Sequence, residues 1–363
     1  MAILMTVFSG FYMMLMTWLY SEKKINKYIF CVLCGLLSGF FSIYFSHDAV
    51  AYQKIFSHYS ISGVSNIVDE IASYELFFLF SMKALSFLPM VVFFCLYAML
   101  SFSVKLTLIE KVSRDPLLSL FCFFAFFFLY FDGTVVRVSL GIAVAYWGMY
   151  FLSKNKVLYF NLIILISCLL FHYSLLILMI MPLFKTHFSV KIVLGLIVVF
   201  LIIYVLGFGI LDPILWVMSY LDTSIPGLSK FNSYLMRSNE GDPYSLVLFF
   251  LFLACLFSYW LFMRELSDFE LISYNMMFLS FLILIVFYQN QVFQNRFSEI
   301  FRYSLVFISP FFYRFFFVFI GSRFLSIIAY IFLMGGYFVY FYYYKEIISI
   351  NNLDMIDFSF ILF

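Results

Sequence analysis

Charge is scarce in this chain. Only 11% of its 363 residues are Asp, Glu, Lys or Arg, against about 25% in a soluble domain. So few charges cannot clothe a globular core in a solvated surface, so the bilayer must serve as solvent for most of the chain. The charges include no long basic block, which excludes a nucleic-acid groove. Nucleotide and metal signatures are missing too. There is no G-x-x-x-x-G-K-S/T, no G-x-G-x-x-G and no H-E-x-x-H, and no D-x-D pair of the kind that holds a metal-bound nucleotide sugar. An enzyme without them has to receive substrates that arrive already activated, and no metal or cofactor is expected. Met1 to Tyr20 lacks the basic start and small-residue exit of a cleaved signal, so it reads as a first span. The six cysteines (Cys31, Cys34, Cys95, Cys122, Cys168, Cys255) fall in apolar runs. Cys31-x-x-Cys34 has no second Cys or His pair beside it, so all six read as small buried residues.

What is present is apolar bulk. Hydrophobic residues make up 66% of the chain, with 55 Phe and 28 Tyr, and the mean hydropathy is +1.07. A spanning helix needs about 20 apolar residues. The runs that qualify are Ile3–Tyr20, Ile29–Phe45, Pro89–Leu108, Leu117–Phe131, Val135–Leu152, Val157–Phe171, Tyr173–Phe184, Ile192–Leu211, Tyr244–Met263, Leu271–Tyr288, Tyr303–Ile320 and Phe324–Tyr344. They predict an all-α, polytopic integral membrane protein of about 12 transmembrane helices. Leu76–Leu88 is too short to cross, and is either a re-entrant helix or an extension of the next span. The pair flanking His172 is short as well, and is either two elements or one long or broken helix. Lys23, Lys24, Lys27, Lys111, Arg114, Lys154, Lys156, Lys185, Lys191, Arg264 and Arg323 all fall on one side if the amino terminus is outside, and that side is the cytoplasm. The break at His172 is needed for this split. The other side then holds two loops, 46–75 and 212–243, and the tail 345–363. None is long enough for a domain of its own, so residues 1–363 read as one transmembrane domain.

Ionisable residues at membrane depth demand a reason, and four groups gather at the outer helix ends. The first is His47-Asp48 with Tyr52, followed by Tyr74-Glu75. Asp48 and Tyr52 are four apart and share a helical face. A carboxylate there can take a proton from a sugar hydroxyl, or simply cap a helix. The second is Asp132-Gly133-Thr134 with Arg137, one turn into an apolar run and on the wrong side for the positive-inside bias. Its planar fork suits phosphate or diphosphate. The alternatives are snorkelling and pairing with Asp132. The third is Phe171-His172-Tyr173-Ser174, at the meeting of two apolar runs. The fourth is Arg296, Glu299 and Arg302, spaced by three so as to share one face, as substrate ligands or as an ion-pair ladder. Lys230 and Arg237 add cations to the 212–243 loop, which could close over a groove as a lid. Asp48, Glu75, His172 and Arg137 are thus the catalytic candidates. Tyr52, Asp132, Arg296, Arg302, Glu299, Lys230 and Arg237 are the substrate-binding ones. Gly35-Leu-Leu-Ser-Gly39 is a small-xxx-small pattern for close helix packing.

In these residues the chain resembles the EpsG-like branch of the Wzy-type bacterial polysaccharide polymerases, which include O-antigen polymerases. The likeness lies in Asp48 and Tyr52, Tyr74-Glu75, Arg137 with the small residues Gly141 and Ala143, and Phe171-His172-x-Ser174. Family members often read Arg-Gln-Gly-Leu-Ala where this chain has Arg137-Val-Ser-Leu-Gly-Ile-Ala. The second half matches in topology and in Arg296. The resemblance implies a membrane-embedded, metal-independent glycosyltransferase. It would join polyprenyl-diphosphate-linked oligosaccharides, donor and acceptor, into O-antigen, capsule or exopolysaccharide. Its site would face the periplasm or exterior of a bacterial cytoplasmic membrane, with a chain-length regulator and a flippase as partners and no nucleic acid.

Two other classes fit a polytopic protein with outer charges. A lipid-linked oligosaccharide flippase tends to show internal repeats and midplane charges, and no repeat is visible here. A glycan ligase or acyltransferase at the same interface is hard to separate by sequence.

Overall fold

In the computed structural model, residues 2–44, 46, 48–61, 75–205 and 246–344 are described. Among them there is no strand. In chain order the helices are α1 (Ala2–Ser21), α2 (Lys27–Tyr44), α3 (Ala49–Ile61), α4 (Leu76–Ala84), α5 (Met90–Val112) and α6 (Pro116–Phe126). A π-helical turn (Phe128–Asp132) leads to α7 (Val136–Ser153) and α8 (Val157–Leu170), and a 3-10 helix (Tyr173–Phe184) to α9 (Val190–Val205). After these come α10 (Leu246–Phe262), α11 (Asp268–Val286), α12 (Gln291–Arg302), α13 (Leu305–Ile320) and α14 (Arg323–Tyr344).

The fold is all-α and polytopic. Each of the twelve expected apolar runs is largely helical where it is described, with non-helical residues at several ends and a break at Phe127 inside 117–131, and the lengths are uneven. By length and composition, α2, α5, α7, α11 and the segment Leu248–Glu265, which continues α10 through the turn after it, can each cross a membrane alone, and α12 with α13 makes a sixth span bent by 64°. Shorter apolar stretches accompany them: α6, α8, the 3-10 helix, Val190–Val199 of α9 and Arg323–Gly336 of α14.

Packing rests on close backbone approach, as it must where lipid competes equally for apolar side chains. α2 and α5 are the clearest case. A Cβ on Gly39 would sit 2.5 Å from the Cys95 Cα, and one on Gly35 would sit 2.7 Å from the Met99 Cβ. Interlocked rings fill the space behind them, with Phe30, Phe102, Phe123, Phe124 and Phe128 meeting edge-on or stacked.

One end of the bundle is tied by the basic loop residues. Lys27 at the start of α2 pairs with Glu110 at the end of α5. Arg114 bridges the α5–α6 turn to Glu270, 3.0 Å away in α11, and Arg314 reaches Glu265 at 2.8 Å. Local signals set these ends: Asp115 caps α6 ahead of Pro116, and Ser267 with Glu270 forms a capping box on α11.

The chain reverses at His172, as the charge pattern requires. Lys185, just past the 3-10 helix, bonds the Asn155 side chain just before α8, so the two run side by side in opposite directions. α8 rises about 21 Å over its 14 residues. The 3-10 helix covers about 24 Å with only 12, because each residue rises about 2.0 Å.

Near the opposite end, two elements stop short. α4 is a separate short helix that folds back on α5, so the segment 76–88 takes the re-entrant form. Phe77 and Phe78 reach Tyr97, which puts the first turn of α4 about 10 Å along α5 from Met90. α7 starts deep as well: its Ser139 bonds Ser101, about 16 Å along α5.

Candidate functional site

The truncated helices leave a cleft of about 540 Å³, and five segments supply its walls. Asp48 and Tyr52 come from the start of α3. Tyr130 and Phe131 come from the π-turn, and Val135, Arg137 and Val138 from the head of α7. His172 and Ser174 come from the reversal and the first turn of the 3-10 helix, and Arg296, Glu299 and Ile300 from α12. Residues spread over two hundred and fifty positions of sequence thus meet at one place.

Arg137 is the centre of the charge arrangement. Its Nη1 donates to Glu75 Oε2 at 3.0 Å, with the Arg137 side chain 26% exposed and Glu75 only 3%. Glu75 precedes the first turn of α4 but makes no capping bond with its side chain. Both of its oxygens are used elsewhere: Oε2 on Arg137, and Oε1 facing His172 Nε2 at 3.6 Å. The His172 ring is fixed from its other side. Nδ1 accepts from the Ser174 backbone N–H at 3.2 Å and lies 2.8 Å from the Ser174 hydroxyl. In the neutral imidazole the proton therefore sits on Nε2, toward Glu75. Gly141 explains how this turn comes so near α7: a Cβ there would be 2.7 Å from both the Phe171 Cβ and the Leu175 Cδ1.

Two further bonds bind the walls together. The Tyr52 hydroxyl donates to the Thr134 carbonyl at 2.7 Å and lies against Arg137. The Tyr130 hydroxyl donates to the Glu299 carboxylate, joining the π-turn to α12.

Three sequence candidates take other positions. Asp132 does not line the cleft, and its partner is not Arg137. It is buried and paired with Lys105 of α5, whose Nζ lies 2.7 Å from both carboxylate oxygens. Ser101 donates to the same carboxylate at 2.7 Å. The reason is depth, since the chain leaves α6 through a π-turn and α7 starts well inside the bundle. Arg302 is also off the cleft. It is 3% exposed and donates to Ser298 on its own helix at 3.2 Å. Two steps of three residues rotate it about 120° from Arg296, so the three charges cannot share one face. Lys230 and Arg237, with the proposed lid, lie outside the described residues, as do His47 and Tyr74.

Sequence reasoning passed over Tyr130 and Lys105. Tyr130 carries no signal in a run of aromatics. Lys105 does carry one, because it is a cation in the middle of an apolar span. Among the described residues no three His, Cys, Asp or Glu side chains are placed to share a metal ion.

A family model for the EpsG family matches residues 24–356. The chain belongs to the EpsG family. Membership connects it to polysaccharide biosynthesis in a membrane. No curated protein and no solved structure matches it.

Proposed function

We propose that this EpsG-family protein is a polysaccharide polymerase acting on lipid-linked repeat units. The reading rests on one observation above the others: Arg137, Arg296, Asp48, Glu299 and His172 surround a single cleft.

In the proposed reaction the growing glycan, held on a polyprenyl diphosphate, moves to a hydroxyl at the non-reducing end of a second lipid-linked unit. The bond from the anomeric carbon to the diphosphate oxygen breaks, and a bond to the acceptor oxygen forms. Negative charge collects on the departing diphosphate, where Arg137 and Arg296 stabilise it. The acceptor hydroxyl proton goes to a carboxylate. Of the candidate bases, Glu75 is buried behind Arg137 and engaged at both oxygens, and His172 directs its proton-bearing nitrogen at Glu75. Asp48 lines the cleft and is only partly buried, which favours it as the base. Glu75 and His172 then hold the Arg137 guanidinium in place. The cleft lies at the end away from the basic loops, which corresponds to the periplasmic or outer face of the cytoplasmic membrane.

The test is replacement of the gene by Arg137→Ala, Asp48→Asn and wild-type alleles, with surface glycans resolved by length. The expected result is a ladder for wild type, and single repeat units where either variant is the sole copy and still inserts. A normal ladder from inserted Arg137→Ala protein overturns the proposal.

A further inference from the structure

The Lys105–Asp132 pair has no part in the reaction just described, yet it sits directly behind it. Both side chains are 0% exposed. Lys105 lies about two-thirds of the way along α5, a helix about 34 Å long, and Asp132 meets it from the end of the π-turn. A charge buried in a spanning helix is expensive to hold. It is furnished as a built network. Ser101 and Ser139 bond the Asp132 carboxylate, and Lys105 bonds Ser139 as well as Asp132. Ser42 of α2 donates to the Asp132 carbonyl at 3.2 Å, and the Lys105 ammonium stands 5.4 Å over the Phe123 ring. Four segments, α2, α5, the π-turn and α7, are therefore fastened at one point.

That point falls within the stretch supplying most to the cleft. Residues 130–138 provide five of its twelve lining residues, and Asp132 lies between Tyr130-Phe131 and Val135-Arg137-Val138. The same stretch carries the Tyr130 bond to Glu299 and the Thr134 carbonyl that holds Tyr52. Through the π-turn the backbone pairing shifts to bonds five residues apart, from Gly133 N–H to the Phe128 carbonyl and from Val135 N–H to the Tyr130 carbonyl. The rotation of the side chains that follow therefore departs from the α-helical one and depends on how the turn is anchored.

We propose that Lys105 is a positioning residue. Through Asp132 it sets the register in which Tyr130 and Arg137 face the cleft. The inference rests on the cleft being the transfer site, but its geometry can be tested apart from that reading.

Lys105→Met alone strands a buried carboxylate and can prevent folding, so the variant to examine is Lys105→Met/Asp132→Asn, which removes both charges together. Two readouts are taken on purified protein in detergent, in a cysteine-free background. The first is the labelling rate of Val138→Cys by a hydrophilic maleimide, with Ser174→Cys as a cleft position outside the stretch. The second is polymer formation with a lipid-linked repeat unit by the double variant without either added cysteine. The expected result is a several-fold change in labelling at position 138 but not at 174. With it comes a fall in turnover of about 100-fold, the scale of an ångström-level misplacement, with KM within about twofold. Unchanged labelling at 138 with wild-type turnover overturns the inference. Absence of polymer from wild-type protein overturns the transferase reading, and the labelling still decides the role of Lys105.

Discussion

Arg137 both pairs with a buried carboxylate and lines the cleft. It gives Nη1 to Glu75 and meets the Tyr52 hydroxyl. Arg137→Lys keeps the charge but loses the second arm. It is expected to reduce turnover, and Arg137→Ala by about 100-fold or more, the scale of losing one oxyanion donor. Polymer synthesis by purified variants measures this, and equal rates for Arg and Lys would remove the fork from the argument. Lys105 makes the opposite prediction. Its loss acts on stability first, because a fully buried ion pair deprived of one member costs about 3–5 kcal/mol. Lys105→Met should therefore unfold at clearly lower temperature than the double neutral variant Lys105→Met/Asp132→Asn. At this scale the sequence was readable where a charge stood against its surroundings. Arg137, opposing the positive-inside bias, was such a place, and so was His172 at a break. Asp132 looked equivalent to its neighbours because sequence carries no depth, and a residue beside a loop can still lie inside the bundle. Lys105 stood out equally but was absorbed into a span.

Among the elements, the closest packing predicts the sharpest effect. Gly39→Ala places a methyl 2.5 Å from the Cys95 backbone, so α2 and α5 have to separate. A loss of about 1–3 kcal/mol follows, measured by thermal unfolding in detergent. Cys95→Ala does not rescue it, because the clash is with Cα and N as well as the thiol. A wild-type melting temperature for Gly39→Ala would show that the helices do not meet here. The small-xxx-small pattern made this contact legible beforehand. The 3-10 geometry of Tyr173–Phe184 was not legible, because a uniformly apolar run shows no period that tells 3.0 from 3.6 residues per turn. The π-turn was hidden for the same reason: Phe121 to Phe131 is aromatic and aliphatic almost throughout, and nothing in it marks where the α-helical ladder ends.

For the whole molecule, the charge split predicted which helix ends gather, and Lys27–Glu110, Arg114–Glu270 and Lys185–Asn155 all join termini assigned to one side. Cysteines introduced at Lys154 and at Asp48 are accordingly expected to label from opposite faces of the membrane. Labelling of both from the same face would break the topology.

The α8 and 3-10 hairpin has a consequence for the surrounding lipid. Its two arms span about 21–24 Å, less than the roughly 30 Å of bilayer hydrocarbon, while the neighbouring α7 is long enough for a full crossing. Mismatch of this kind is relieved by local thinning of the bilayer. The headgroup layer is then drawn inward beside His172, toward the level of Arg137, where the proposed function has the polar end of a lipid-linked substrate bind. Activity reconstituted across phospholipids of increasing acyl length should therefore decline in the thicker bilayers.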